Sequence, residues 1–349
     1  MIPTAVLAGL GSYLPPRVVT NAEIAARVGS SEEWIRTRTG IERRHIAACD
    51  TATSDLAVAA GRRALACADA TSADVVLVAT TTPDQPCPAT APSVASRLGL
   101  AGAGAFDIGA VCSGFIYALA AGTGLIAAGT ARSVLVIAAE IYSSIMDPAD
   151  RTTSVIFGDG AGAVLLRAGA AAEPGAIGPF DLHSDGGGRD LIAVPAGGTR
   201  GRTAAGPAPA RRYFEMDGKQ VFWRAVQEMA GSSRAVLEAA GRSPADVDWL
   251  VCHQANARIT AQLARELGIG AERCVTNIDQ VGNTAGASIP IALDHACRDG
   301  TLAPGDRLLL TAFGGGLTWG STLLTWPGLG PRHRKAEHEE DRWQPPTTV

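Results

Sequence analysis

Positive charge, paired cysteines and long apolar runs are all scarce in this sequence of 349 residues. Its 30 basic residues do not outnumber its 34 acidic ones, which leaves a formal net charge of -4. A nucleic-acid footprint would need a basic domain, so that class of partner is excluded. Lysine occurs only at Lys219 and Lys335, a bias of coding more than of function. The 7 cysteines, at positions 49, 67, 87, 112, 252, 274 and 297, are scattered and include no C-x-x-C pair. They support neither a disulfide framework nor a metal site, and they suit a reducing cytoplasm. The longest apolar run, 114-GFIYALAAGTGLIAAG-129, falls short of the roughly 20 residues that span a bilayer. It predicts a buried central helix and no membrane partner. The start, MIPTAVLAGLGSYLPP, lacks the charged region of a signal peptide.

What is present is a core. Hydrophobic residues make up 46% of the chain and charged residues 18%, the balance of a globular protein. The length suits two domains or one large duplicated unit. The run 64-ALACADATSADVVLVATT-81 passes from a helical start through a polar turn into a buried strand. At 236-VLEAAGRSPADVDWLVCH-253 the same grammar returns about 172 residues later. At that offset Phe106-Asp107 meets Ile278-Asp279, and 133-SVLVIAAE-140 meets 307-RLLLTAFG-314 at nearly the same spacing. Strands alternating with helices predict right-handed βαβ crossovers and parallel sheets covered by helices. Functional loops would gather at corresponding strand ends near the seam. The two halves are expected over residues 1–170 and 171–327. Segment 195–212, rich in Gly, Pro and Arg, reads as a mobile surface loop, and the polar 328–349 as a disordered tail.

Three polar sites interrupt or end apolar strands. Cys112 stands in 106-FDIGAVCSGFIYALAAG-122, where a strand-like run turns into a helix-like one. A helix start stabilises a thiolate through its dipole and free N–H groups, and Ser113 and Gly114 leave room for a bound acyl group. In 249-WLVCHQAN-256, His253 ends a buried strand and Asn256 follows three residues on. In 281-VGNTAGASIP-290, Asn283 sits in a turn of small residues at the duplicate of the Cys112 turn. A lone strand-end His is usually structural; a Cys, a His and an Asn at one seam point to a nucleophile with its partners. In 313-FGGGLTWGS-321 three glycines follow a strand, so backbone N–H groups can approach a ligand as an oxyanion hole requires. The run 156-IFGDGAGAVLL-166 lacks both the P-loop ending and the G-x-G-x-x-G spacing, and reads as a hairpin turn.

Together 32-EEWIRTRTGIERRHIA-47, the Cys112 turn, 151-RTTSVIFGDGAGAV-164, 252-CHQAN-256, 282-GNTAGAS-288 and 312-AFGGGLTWGS-321 resemble a known family in order and spacing. It is that of the β-ketoacyl-acyl-carrier-protein synthases III, within the thiolase-fold condensing enzymes. The resemblance covers roughly residues 4–326. It implies an α/β, thiolase-like fold in which two duplicated βαβαβ-type halves form a layered α/β/α/β/α sandwich. Cys112 would take an acyl group from acyl-CoA as a thioester, with the N–H groups of Cys112 and Gly315 on the acyl oxyanion. His253, neutral, and Asn283 would then donate to the malonyl thioester carbonyl as CO₂ leaves. The resulting carbanion would attack acyl-Cys112, giving 3-oxoacyl-acyl carrier protein. Trp34 and Arg151 would sandwich the adenine of CoA. Asn256 and Gly218 would lie along the pantetheine arm, with Phe222 near the channel. Arg258, Lys219 and Arg224 would meet the acidic carrier protein. A cytoplasmic homodimer is implied, its acyl pocket borrowing the loop around residue 87 from the partner. No cofactor is expected beyond the two thioester substrates.

The chain departs from the family at 86-PCP-88, where Cys87 replaces a Phe that reaches into the partner's acyl pocket in well-studied members. A roomier or differently shaped pocket is expected, for a branched, longer or polar starter. Ala285-Gly286 stands where Ser-Ala is common, Cys252 where Pro is usual, and the 195–212 loop is longer. Relatives in natural-product pathways also move acyl groups onto hydroxyls without condensing. A non-condensing acyltransferase with a hydroxyl or amine acceptor is therefore the alternative. A catalytically silent dimer partner of the same fold would have no need to retain Cys112, His253 and Asn283.

Overall fold

The computed structural model describes residues 3–199 and 212–329. Most of the 195–212 loop and nearly all of the 328–349 tail lie outside the described residues. In the first half, β1 (Thr4–Tyr13) leads to a small ribbon of β2 (Val18–Thr20) and β3 (Arg43–His45), between which lie α1 (Asn21–Val28) and α2 (Glu32–Thr39). Then come α3 (Thr53–Cys67), β4 (Val75–Ala79), α4 (Thr90–Arg97), β5 (Gly104–Ile108), α5 (Gly114–Ala127), β6 (Ser133–Glu140) and β7 (Gly160–Gly169). The second half runs β8 (Ile177–Ser184), β9 (Ile192–Ala193), β10 (Glu215–Met216), α6 (Gly218–Ala239), β11 (Trp249–Cys252) and α7 (Ala257–Leu267). It closes with α8 (Ile278–Val281), α9 (Ser288–Arg298), β12 (Arg307–Gly314) and β13 (Thr318–Thr325).

The two large sheets have the orders β1-β7-β6-β4-β5 and β8-β13-β12-β11, one sequence of strands used twice. β6 begins at Ser133 and β12 at Arg307, α5 at Gly114 and α9 at Ser288, an offset of 174 in both cases. The alternation of strands and helices predicts parallel sheets; both sheets are instead mixed. β4 is parallel to β5 and β6, but β7 runs antiparallel to β6 and to β1. In the second sheet only β11 and β12 are parallel. The connections explain this. Helices join β4 to β5 and β5 to β6, as parallel neighbours require, whereas no α-helix lies between β6 and β7 or between β12 and β13.

Composition sets the layers. All of β4, and all of β6 after its first residue, is buried, and an unbroken apolar strand is one covered on both faces. One core packs Leu56 and Val94 of α3 and α4 against Val76 and Ile137 of the first sheet. Another packs Met229 and Leu263 of α6 and α7 against Leu250 and Leu309 of the second. Between the sheets, Phe115, Ile116 and Leu119 of α5 and Ile289 and Leu293 of α9 join strands of both halves in a single core. The layering is α/β/α/β/α, with the 114–129 run as a central helix.

No hairpin forms at 156–166. Residues 141–159 are a long connection from β6 to β7, against 315–317 between β12 and β13. Gly158 lies within it because a Cβ there would sit 2.5 Å from the Val281 carbonyl oxygen of the other half. Buried Asp159 accepts hydrogen bonds from the Ala47 N–H (2.8 Å), the Ser143 N–H (2.9 Å) and the Ser143 hydroxyl (2.6 Å), which closes the loop.

Candidate active site

Two equivalent turns meet at the seam between the halves. Val111 and Ala285 hold φ values of 48° and 46°. That conformation costs a β-branched residue about 1–3 kcal/mol, so the surroundings must enforce it. They do so by close approach. A Cβ on Gly286 would lie 3.0 Å from the Val111 carbonyl oxygen, and one on Gly314 would lie 2.8 Å from the Cys112 nitrogen. Ser113 Oγ lies 2.8 Å from Thr318 Oγ1, which donates to the Gly315 carbonyl at 3.0 Å, so β13 is tied to the same turn. At the 174-residue offset it is Gly286, rather than Asn283, that stands opposite Cys112.

Cys112 is 8% exposed and packs against Tyr142, Met146, Phe157, Phe214 and Ala285. Burial, and then the Glu140 carboxylate, push its thiol well above the ordinary range. The resting group is thus a thiol, not the thiolate that a helix start predicts. α5 itself begins only at Gly114, after a 3₁₀ turn over Val111–Ser113, and desolvation disfavours the charged form.

Glu140 is a functional candidate that the sequence reading passed over, although a carboxylate closing the apolar run SVLVIAAE was the signal. It is fully buried and accepts from the Thr81 N–H (3.0 Å) and the Thr81 and Thr82 hydroxyls (both 3.1 Å), and also from the Gly286 N–H. Burial nonetheless raises its carboxyl to about 7.

His253 follows β11 and is 3% exposed. Its N–H donates to the Thr311 carbonyl (2.9 Å), and its Nδ1 lies 2.6 Å from Ser288 Oγ. Burial lowers the imidazole to about 3, so the ring is neutral at neutral pH. Asn283 is held at three points. Its N–H donates to the Ile156 carbonyl (3.0 Å), its carbonyl accepts from the Gly158 N–H (3.0 Å), and its Oδ1 accepts from the Ala285 N–H (2.8 Å). Among the described residues, Asn283 Nδ2 meets no hydrogen-bond acceptor, which leaves its hydrogens to donate. Ala285 shares a buried cluster with Cys112, and Ser288, which holds His253, opens the next helix. Ala285 thus links the Asn283 turn to Cys112, and Ser288 links His253 to the helix that follows that turn.

A cavity of about 480 Å³ opens beside this turn, bounded by Ala110, Val111, Gly315 and Thr318 and walled by Tyr142, Ile192, Val194 and Phe214. Tyr142, Phe157 and Phe214 pack on one another with ring centroids 4.5, 5.4 and 5.1 Å apart. Tyr142 and Phe157 come from the long 141–159 connection, which the second half lacks. Exposed Cys87, in the loop between β4 and α4, lines no part of this cavity.

The residues expected along the CoA path form a surface around α2, α6 and α7. The Ser31 hydroxyl caps α2 by accepting from the Trp34 N–H, and Gly40 stops it at φ 77°. The guanidinium groups of Arg38 and Arg151 each lie 5.0 Å from the Trp34 ring centroid. Planes enclosing a base stand about 7 Å apart, twice a van der Waals contact, so a base must move Arg151 aside. Arg258 lies 5.9 Å from the Phe222 ring centroid, and Gly218 and Lys219 are exposed at the start of α6. Both ends of the Asn256 side chain are engaged. Oδ1 accepts from the Arg258 N–H (2.9 Å), and Nδ2 donates to the Arg38 carbonyl (3.0 Å), which ties α7 to α2. Arg224 pairs with Asp185 (2.9 Å) and Glu228 (3.2 Å), and these partners offset the charge expected to face a carrier protein. Among the described residues, no cluster of three metal-ligating side chains occurs and no helix is long and apolar enough to cross a membrane.

Comparison with known proteins returns two family models. One, described as 3-oxoacyl-[acyl-carrier-protein (ACP)] synthase III, matches residues 106–186, and its C-terminal counterpart matches residues 237–326. The chain is 62% identical over 334 residues to the β-ketoacyl-[acyl-carrier-protein] synthase III 3 of Streptomyces coelicolor, covering 95% of this chain and 100% of that protein. Among solved structures, the 3-oxoacyl-(acyl carrier protein) synthase III of Pseudomonas aeruginosa is 50% identical, with a TM-score of 0.89 and coverage of 94% of this chain and 100% of that one. The priming β-ketosynthase of a polyketide biosynthetic pathway is 37% identical, with a TM-score of 0.87 and coverage of 93% and 96%.

Proposed function

The chain belongs to the 3-oxoacyl-acyl-carrier-protein synthase III family, and on that premise we propose how its own residues carry the reaction. The enzyme is an acyltransferase of the β-ketoacyl synthase III type. It condenses the acyl group of an acyl-CoA with malonyl-acyl carrier protein, losing CO₂, and the 3-oxoacyl product starts a fatty-acid or polyketide chain.

The assignment of roles is carried by the meeting of the Cys112 turn with the turn that follows Asn283. In the first half-reaction the Cys112 sulfur attacks the acyl-CoA carbonyl, the thiol proton passes to the departing CoA sulfur, and a thioester forms on Cys112. The N–H groups of Cys112 and Gly315 hold the oxyanion. In the second, the malonyl carboxylate leaves as CO₂ while His253 and Asn283 donate to the thioester oxygen that gains charge. The enolate carbon attacks the Cys112 thioester, and the released sulfur takes a proton from solvent. Burial that keeps His253 neutral suits it to donate rather than to carry charge. No cofactor or metal enters these steps.

CoA reaches Cys112 past Trp34, Arg151, Gly218 and Phe222, with Asn256 holding the walls of that path together. Arg258 and Lys219 face the carrier protein; Arg224, paired within the chain, acts there weakly at most. The chain functions as a homodimer of two-half subunits, with halves at 1–170 and 171–327. Supporting this, β5 is an edge strand with Phe106 44% exposed, and an open edge is a template for pairing with another strand. Exposed Cys87 precedes Thr90, whose N–H donates to Asp107 of that strand (2.7 Å), and would reach the partner's acyl pocket. Seven unpaired cysteines suit a cytoplasmic location.

Intact mass of the protein after exposure to acyl-CoA, and then to malonyl-carrier protein, tests the reading. An acyl adduct on Cys112 that disappears with release of CO₂ and 3-oxoacyl product is expected. Absence of any adduct would refute covalent catalysis. An adduct that leaves only to a hydroxyl or amine acceptor would refute condensation.

A further inference from the structure

We infer that Ser288 holds His253 in the tautomer that carries its proton on Nε2. Ser288 opens α9 at 1% exposure, and His253 is 3% exposed. Ser288 Oγ lies 2.6 Å from His253 Nδ1 and accepts from the Gln254 N–H at 3.3 Å. Among the described residues these are the hydroxyl's hydrogen-bond partners. A serine hydroxyl has one proton to donate and two lone pairs with which to accept. The Gln254 N–H is itself a donor and cannot receive that proton. Were Nδ1 protonated, the hydroxyl would accept from both groups, and its own buried proton would have no acceptor among the described residues. A buried donor left unsatisfied costs its full desolvation penalty. The proton is therefore placed on the line to Nδ1, and the hydrogen of the neutral ring on Nε2. With the opposite tautomer, His253 would present a lone pair to a developing oxyanion.

The duplication supplies an internal comparison. At the 174-residue offset, Ala79 and Gly114 stand where His253 and Ser288 stand. A Cβ on Gly114 would lie 3.2 Å from the Ala79 methyl. The junction is an apolar contact in one half and a buried hydrogen-bonded pair in the other. Ser288 touches no substrate on this reading, so it is a positioning residue. The consequence for condensation rests on the role proposed for His253; the tautomer itself does not.

Full-length protein labelled with ¹⁵N-histidine, at neutral pH, tests the inference, the His253 signals being assigned by their loss in His253→Gln. A pyridine-type Nδ1 and a pyrrole-type Nε2 are expected in the wild type. Ser288→Ala should give a tautomeric mixture, and Ser288→Thr should restore the wild-type pattern. In single-turnover assays Ser288→Ala should slow condensation about tenfold to a hundredfold, less than outright loss of a donor. Acylation of Cys112 should be unchanged, and Ser288→Thr should recover condensation. A pyrrole-type Nδ1 in the wild type overturns the inference whatever the variants do. So does a Ser288→Ala protein that condenses at the wild-type rate, or one that loses acylation and condensation equally. A wild type with the expected tautomer but no condensation would sink the reaction assignment and leave the tautomer standing.

Discussion

Glu140→Gln should tilt the pH dependence of stability between pH 4.5 and 6.5, where two buried groups of the site oppose one another. His253 is lowered from 6.5 to about 3. The unfolded chain therefore takes up its proton below pH 6.5, while the native ring refuses it until about pH 3. Glu140 is raised from 4.5 to about 7. The native carboxyl holds its proton below about pH 7, the unfolded one only below pH 4.5. From pH 4.5 to 6.5 each state thus binds one of the two protons, the native at Glu140 and the unfolded at His253. Stability follows the difference in bound protons, so the pair contributes no slope there. Below pH 4.5 the unfolded state holds both protons, and stability falls with falling pH at about 1.4 kcal/mol per unit. Above pH 6.5 it holds neither, and stability falls with rising pH until Glu140 is ionised.

Glutamine at position 140 removes one side of that balance. Relative to the wild type, stability should then rise by about 3 kcal/mol from pH 4.5 to 6.5, two units of pH at one proton each. Carboxylates held low by hydrogen bonds, such as Asp74, Asp150 and Asp248, lose their contribution at more acid pH and do not enter this interval. Urea midpoints at fixed protein concentration measure the slope. His253→Gln should show the mirror image, with stability falling as pH rises over the same interval. A Glu140→Gln protein with the same slope as the wild type would refute the reasoning.

The half-reactions supply sharper tests of the roles. His253→Ala should slow condensation by about a hundredfold to a thousandfold, the worth of one preorganised donor, with acylation of Cys112 within a few-fold of wild type in single-turnover assays. Trp34→Ala should raise the KM for acyl-CoA by about fivefold to a hundredfold, since a stacked base contributes about 1–3 kcal/mol, and should leave kcat unchanged. Gly314→Ala sets a methyl 2.8 Å from the Cys112 nitrogen. Displacing the nucleophile's turn should cut acylation by about a hundredfold while the circular dichroism spectrum remains native.

Much of this was legible along the chain because it depends on local order. The unbroken apolar runs at 75–79 and 134–139 are strands covered on both faces, and their recurrence in the second half declares the duplication. Cys112 and His253 stand out because each breaks an apolar run after a strand, whereas Asn283 follows the short helix α8 and not the strand end expected of it. Strand direction was less legible. β7 runs antiparallel because residues 141–159 return without a helical crossover, and nothing local in GDGAG announces that it enters a central strand instead of a hairpin. Glu140 and Ser288 lay inside quoted motifs, but neither has a partner nearby in sequence. The hydroxyls that hold Glu140 are 58 and 59 residues away, and the imidazole that Ser288 holds is 35 residues away.

By itself, then, the sequence determined the layers, the doubling and which side chains are candidates for the chemistry, since burial pattern and residue type are properties of the chain. Only the tertiary structure decided their states. That Cys112 rests as a thiol, that His253 stays neutral, that Arg224 is already paired and that Arg151 covers Trp34 are matters of desolvation and of charges a few ångströms away. Such neighbours come from remote parts of the chain, and only the packed fold brings them together.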